Sequence, residues 1–195
     1  MIRAAAFSFQ DGHGIYSPHG SSWQKSEAAD LAALAGRPIK YLQRFTEEAR
    51  HCVCAASLVL KEDASGEIGL LAAGVDRTLA ANLYYFRDYV ANGRSLGRGN
   101  LFLYTLPTSV LGEVAVALTL TGPCLFIHNP ADPIGQAVRQ AEQMIADGEA
   151  DQMLVIWSDA NAAVCLSVQT GEGSFPIELS GDPVALYRTL RQKLT

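Results

Sequence analysis

The sequence lacks the features of a protein that binds nucleic acid or spans a membrane. Its formal net charge is −5 at pH 7, so it offers no broad basic surface to follow a phosphate backbone. Its apolar runs are shorter than the ~18 residues that cross a bilayer, and the first run meets Gln10 and Asp11 too early for a signal peptide. We therefore expect a cytoplasmic protein with no nucleic acid partner and no membrane span.

Cysteine is also scarce, and its spacing excludes the common metal and disulfide patterns. The four cysteines are Cys52, Cys54, Cys124 and Cys165, with no Cys-x-x-Cys pair and no histidine at zinc-ligand spacing. Cys52 and Cys54 lie two residues apart on a predicted helix and so point to different faces. We expect reduced, buried thiols, with Cys124 inert inside a strand, and no metal or other cofactor.

What the sequence has in quantity is apolar surface to bury. Of its 195 residues, 49% are hydrophobic, and the mean hydropathy is +0.10. This is enough for a folded domain with a proper core. Because no internal repeat, linker or low-complexity stretch divides the chain, we expect residues 1–195 to form a single domain.

Two periodicities alternate along the chain and predict its secondary structure. Apolar residues recur at helical spacing in residues 45–62, 77–93, 108–120 and 133–148, and a last helix follows residue 182. Apolar runs predict strands at the amino terminus and in residues 67–75, 121–129, 151–159 and 161–170. The predicted N-caps are Thr46, Asp76, Asp132 and Asp182. This alternation predicts an α/β fold with a mixed central sheet covered by helices on both faces.

The stretch from 122 to 151 reads as an apolar strand, a tight turn and an amphipathic helix, a layout that often presents a catalytic nucleophile. Its turn has Pro130, Ala131, Asp132 and Pro133 instead of a reactive serine or cysteine. Asp132 is expected to cap the helix with its own carboxylate and to repel an oxyanion, and Pro133 has no N–H to offer. We therefore predict a well-terminated helix, a poor oxyanion hole and no catalytic residue.

Histidines supply the other candidates. His128 lies close to Asp132 in sequence, but the turn offers no hydroxyl or thiol for such a pair to activate, which favours a structural histidine. His13 and His19 fall in a glycine-rich segment that we interpret as an ordinary loop, since no acidic or cysteine companion stands at ligand spacing. A small-molecule site in that loop is the alternative.

The same stretch resembles the β-ketoacyl synthases of fatty acid and polyketide assembly. Gly122 and Pro123 match the family's Gly-Pro entry into the strand, and "ADGEADQMLVIW" matches its Gly-acid-Ala-Asp turn and next strand. Upstream, "LPTSVLGEVAVALTLTGP" is similar to its Pro-x-x-hydroxyl helix. The resemblance covers most of residues 49–159 and places the family's catalytic cysteine on Ala131.

The resemblance implies a thiolase-like half-fold. A full ketosynthase has a second half with the histidine pair and lysine that decarboxylate malonyl thioester; none of the four histidines here matches those positions, and we expect that half to be absent. The nearest subgroup is the ketosynthase-like N-terminal family of chain-length-factor and aryl polyene subunits.

For function, the resemblance implies a non-catalytic subunit in a heterodimer with an active ketosynthase, reached by acyl carrier protein through that partner. The expected partner interface is the strand of Cys124, Leu125, Phe126, Ile127 and His128, an apolar run that is hazardous if left unpaired. Leu83 and Phe86 are the expected wall of the acyl tunnel. Two alternatives stay open: a small acyl-thioester enzyme with a site at His128 or in the His13 loop, and a homodimeric binding module.

Overall fold

The computed structural model describes residues 1–9, 12–17, 20–24, 30–36, 38–62, 64–74, 78–95, 97–159, 161–171 and 183–194. The strands are β1 (Ile2–Phe9), β2 (Gly12–Ser17), β3 (Gly20–Gln24), β4 (Ile68–Gly74), β5 (Cys124–His128), β6 (Gln152–Asp159) and β7 (Ala162–Gln169). The helices are α1 (Leu31–Ala35), α2 (Glu47–Glu62), α3 (Leu79–Ala91), α4 (Gly99–Leu103), α5 (Ser109–Leu118), α6 (Pro133–Ala146) and α7 (Pro183–Leu194).

The strands form one mixed sheet in the order β3-β2-β1-β7-β6-β4-β5. β4 runs parallel to β5 on one side and to β6 on the other, and the remaining neighbours are antiparallel. The parallel strands are joined by helices, as such crossovers require. The mixed α/β sheet predicted from the sequence is confirmed, and β5 forms one of its edges.

Helices cover both faces of the sheet, as predicted. Alternate strand residues point to opposite faces, so Leu71 and Met153 pack in the core beneath α6 and α7, whereas Leu70 and Leu154 pack in the core beneath α2 and α5. α2 is the central buried helix, and its apolar stripe includes Ala49, at 0% exposure.

The helix starts follow the cap chemistry of the sequence. The N–H of Ala49 donates to Thr46 Oγ1 at 3.1 Å, and the N–H of Gly135 donates to Asp132 Oδ1 at 3.0 Å. Both bonds satisfy donors that a helix leaves free at its first turn. The other two predicted caps, Asp76 and Asp182, lie outside the described residues.

The amino-terminal segment corrects one prediction, since His13 lies in a strand and not in a loop. β2 pairs with both β1 and β3, and His13 is 6% exposed. Burial lowers its pKa. Gly12 permits the hairpin because a Cβ there would lie 2.6 Å from the Trp23 ring, at φ +154°. His19 lies outside the described residues.

The thiols correct a second prediction. Cys52, Cys54 and Cys165 are buried as expected, whereas Cys124 is exposed. Burial raises the pKa of Cys54 to about 11, and partial desolvation also raises the pKa of Cys124. Cys124 is exposed because β5 lies at the edge of the sheet and has a neighbouring strand on one side only. The predicted burial of Cys124 was wrong for this reason.

Candidate functional site

The turn between β5 and α6 is held by side chains that bond its own backbone. Asn129 Oδ1 accepts the N–H of Ala131 at 2.9 Å and the N–H of Asp132 at 3.1 Å. Asp132 Oδ2 accepts from Arg139 Nη2 at 3.0 Å, while its other oxygen caps the helix. Pro133 follows as the first helical residue.

This arrangement bears directly on what the turn can do. A backbone N–H stabilises an oxyanion only when it points at the reacting atom without another acceptor. The amides of Ala131, Asp132 and Gly135 already have acceptors within the turn, and Ala131 itself is exposed with no reactive atom. The predicted cap by Asp132 is confirmed. Asn129 and Arg139 were missed, although an Asn two residues before the bonded amide is a recognised turn signal.

β5 is the last strand of the sheet and lies next to this turn. The N–H of Leu70 donates to the Pro123 carbonyl at 2.7 Å, and Leu70 is registered with Cys124. In a parallel ladder this register directs the polar backbone groups of alternate residues toward β4. The N–H and C=O groups of Cys124, Phe126 and His128 therefore point outward from the sheet.

The side chains of β5 are incompletely covered as well. Leu125 is 42% exposed, Cys124 and His128 are exposed, and Phe126 and Ile127 are half-buried. An uncovered apolar edge strand is a template for pairing with another chain. The sequence placed these five residues together, and the structure brings them to one edge.

A cavity of about 290 Å³ opens at the carboxyl ends of the parallel strands. Its strand residues include Gly74 of β4, Phe126 of β5 and Ser158 of β6. α3 closes another side with Ala80 and Ala81. Clefts at the carboxyl ends of parallel strands are common ligand sites in α/β proteins.

Leu83 and Phe86, the expected tunnel wall, lie elsewhere on α3. They are 46% and 61% exposed and are absent from the cavity lining, to which the helix contributes Ala80 and Ala81. Their place in an acyl tunnel stays a prediction that depends on a second chain.

The polar groups at the cavity are acidic or neutral. Ser158 Oγ donates to Glu48 Oε1 at 2.8 Å, and Tyr104 donates to Glu113 Oε1 at 2.8 Å. Burial raises the pKa of the Glu113 carboxyl, and burial together with Glu113 raises the pKa of Tyr104 to about 12. No lysine, arginine or histidine is among the described lining residues, so the described lining offers no cation to a phosphate or carboxylate.

A separate polar contact joins β1 to α2. Ser8 Oγ and His51 Nδ1 are hydrogen-bonded at 2.9 Å. Burial lowers the pKa of His51, against the raising effect of Glu47 and Asp159. Ser8 is only 4% exposed, and it does not line the cavity at the carboxyl ends of the parallel strands. The pair therefore ties a strand to a helix and offers no reactive serine to a substrate.

His51 predicts a pH effect on stability. Because its folded-state pKa lies below the unfolded value of about 6.5, the unfolded chain takes up a proton first, and stability falls as the pH drops below about 6.5. We expect the melting temperature of His51→Asn, which keeps a hydrogen-bonding group beside Ser8, to fall less steeply over this range. Thermal unfolding of both proteins from pH 8 to pH 5 measures the difference, and parallel curves would contradict the prediction.

Comparisons with known proteins bear on the fold. No protein-family model and no curated protein sequence matches the chain. Among solved structures, a chain in the complex of the ketosynthase ApeO with its chain length factor ApeC, from Xenorhabdus doucetiae, is similar over 100% of this chain and 90% of its own length, with a TM-score of 0.60 and 16% identity. The chain has a ketosynthase-like, thiolase-type fold.

A second solved structure overlaps this one in part. The ketosynthase domain KS7 of OzmH, from the oxazolomycin system of Streptomyces albus JA3453, covers 57% of this chain and 23% of its own, with a TM-score of 0.39 and 10% identity. The predicted fold class therefore rests on the first similarity, which extends over nearly all of both chains. At 16% identity that similarity establishes the fold and leaves activity to other arguments.

In the described part of the chain, every helix is too short or too polar to span a lipid bilayer. The same residues include no group of three or more His, Cys, Asp or Glu side chains arranged to hold a metal ion.

Proposed function

We propose that this protein is a non-catalytic, chain-length-factor-type subunit that pairs with an active β-ketoacyl synthase in acyl-carrier-dependent fatty acid or polyketide synthesis, with aryl polyene synthesis as the specific candidate. The observation that carries the proposal is the β5–α6 turn. In a ketosynthase-like fold, this turn has Ala131 at its exposed tip, and its amide donates to Asn129.

The partner follows from what the chain itself does not supply. Acyl transfer needs an activated nucleophile and donors aimed at the developing oxyanion, and at this turn the described amides of Ala131, Asp132 and Gly135 are occupied. The uncovered edge of β5 offers a way to join a chain that has both, by extending the sheet across the interface. Acyl carrier protein would then deliver its cargo to the partner.

The proposal is tested by co-expression with an active β-ketoacyl synthase from the same organism, followed by size exclusion and intact mass spectrometry. We expect a 1:1 complex in which only the ketosynthase gains mass from an acyl-carrier thioester. A chain that forms a stable homodimer and ignores the ketosynthase would contradict the partner, and a stable acyl adduct on this chain would contradict the non-catalytic role.

A cysteine introduced at position 131 should not by itself give the turn acyl-transfer activity. We expect Ala131→Cys to remain free of acyl adducts because Asn129 and Asp132 still occupy the neighbouring amides, so no oxyanion donor is released. Alkylation by iodoacetamide is the control, since it should label the introduced thiol at this exposed position. An acyl adduct on the introduced cysteine would show that the turn still supports acyl transfer.

A further inference from the structure

The exposed apolar residues of this protein are concentrated in one part of the fold. Of the twelve large hydrophobic side chains that are exposed in the described residues, eight lie between positions 79 and 106. We use the term α3–α4 face for Leu79, Leu83, Phe86 and Val90 of α3 together with Phe102 and Leu103 of α4. Scattered exposed hydrophobics are ordinary, whereas a concentration of this kind marks an interaction surface.

α3 has the pattern of a helix that packs against another helix. Leu79, Leu83, Phe86 and Val90 follow each other at spacings of four, three and four residues, the pattern of a helix-packing seam. Yet α3 has no buried residue, and the ring contact that joins it to α4 is made by Tyr85, which is not one of these four residues, with Phe102. α3 thus has all the apolar residues of a packing seam, and no element of the described chain covers them.

Charge on this face differs from that of the rest of the molecule. Residues 78–112 contain three arginines and one acid, a net charge of +2, which leaves −7 for the remaining sequence. Arg98 pairs with the acid, Asp88, at 3.3 Å. Among the described residues Arg87 and Arg94 therefore have no carboxylate partner beside the apolar seam.

We propose that the α3–α4 face docks an acidic surface of the ketosynthase partner, one that presents an apolar ridge flanked by Asp or Glu. The inference rests on the proposed function for the identity of the partner, and it adds a second contact to the β5 edge. Complementary charge at such a rim speeds and orients association, while the apolar seam supplies the burial.

The other occupants fit the charges less well. In an isologous pair of identical chains, the same arginine-bearing face meets its own copy, so its unpaired positive charges gain no acidic complement. Anionic membranes are recognised by clusters of roughly 4–8 basic residues, and this face has two unpaired arginines on a chain of net charge −5. A protein surface with an apolar ridge and flanking acids covers the seam and also pairs with the arginines.

The test compares two double variants with control variants on α7, whose buried residues pack in the same core as those of α6. Arg87→Glu/Arg94→Glu should weaken ketosynthase binding about tenfold or more at low salt, with a smaller difference at high salt. Leu83→Asp/Phe86→Asp should weaken it at least as much at either salt. Arg188→Glu and Val184→Asp, at the exposed sites on α7, should bind within about twofold of wild type.

Each outcome separates the possibilities. If the wild type binds the ketosynthase and both double variants bind it with the same affinity, the α3–α4 contact is wrong and the proposed function stands. If the wild type does not bind the ketosynthase, both the contact and the proposed function are wrong. Two further arms use the chain alone. A homodimer in sedimentation that the double variants disrupt would assign the face to a second copy. Pelleting with phosphatidylserine vesicles that the arginine variant loses would assign it to a membrane.

Discussion

Replacing Cys124 by proline should weaken binding to the ketosynthase about tenfold while the chain stays folded. The proline removes a backbone N–H that points away from β4 and leaves its acceptor on the partner strand unpaired. One such loss costs about 1–3 kcal/mol, and a tenfold change corresponds to roughly 1.4 kcal/mol. Titration calorimetry on the purified complex measures the change.

The fold should tolerate this proline because of the register of β5. The ladder with β4 starts with the Leu70 N–H on the Pro123 carbonyl and uses the N–H groups of Leu125 and Ile127 as it continues, by the pattern of parallel strands. Proline is accepted in an edge strand when its missing N–H faces outward. Melting temperature and circular dichroism of the free variant check that it remains folded.

The matched control is Cys124→Ala, which removes the same side chain and keeps the N–H group. We expect it to bind within a few-fold of wild type, since exposed side chains at a rim contribute little. If the alanine and proline variants bind equally well, the partner does not pair with this edge by its backbone.

Elements with a strong local signal were predictable from the sequence. α6 has a cap at Asp132, a proline at its first position and an apolar stripe that includes Ile134 and Ala137, and its observed bounds agree with that pattern. β2 and β3 have no such signal, because the segment has few apolar residues and its glycines indicate a loop. They form strands because the Trp23 ring stacks on Phe7, with ring centroids 5.3 Å apart, a tertiary contact that no local pattern reveals.

The candidate site divides in the same way. The absence of a nucleophile at Ala131 and the cap by Asp132 are local facts, and both could be read directly from the sequence. The exposure of Cys124 and the uncovered seam of α3 depend on which elements the fold leaves at its margins. A periodic apolar stripe predicts that a surface will be covered, and it does not tell whether the cover comes from the same chain.

The largest effect on the fold is expected from a single methyl group at Gly122. A Cβ at this position would lie 2.5 Å from the Ile68 carbonyl oxygen and 2.9 Å from the Gly69 nitrogen, both backbone atoms of β4. The start of β5 must therefore move away from β4. We expect Gly122→Ala to lower the free energy of unfolding by about 1–3 kcal/mol, the usual cost of overpacking, measured by urea denaturation.

The control for Gly122→Ala is Gly112→Ala, because the two variants should differ in sign. Gly112 lies inside α5, and a Cβ there meets no atom within 4 Å, so alanine should raise stability by about 0.5–1 kcal/mol through helix propensity. Gly122→Ala should in addition weaken ketosynthase binding, since displacing the start of β5 moves the outward groups of Cys124. If it loses stability and binds normally, the interface does not depend on the position of this strand; if both variants are equally stable, the close approach of β4 and β5 is not a constraint on the fold.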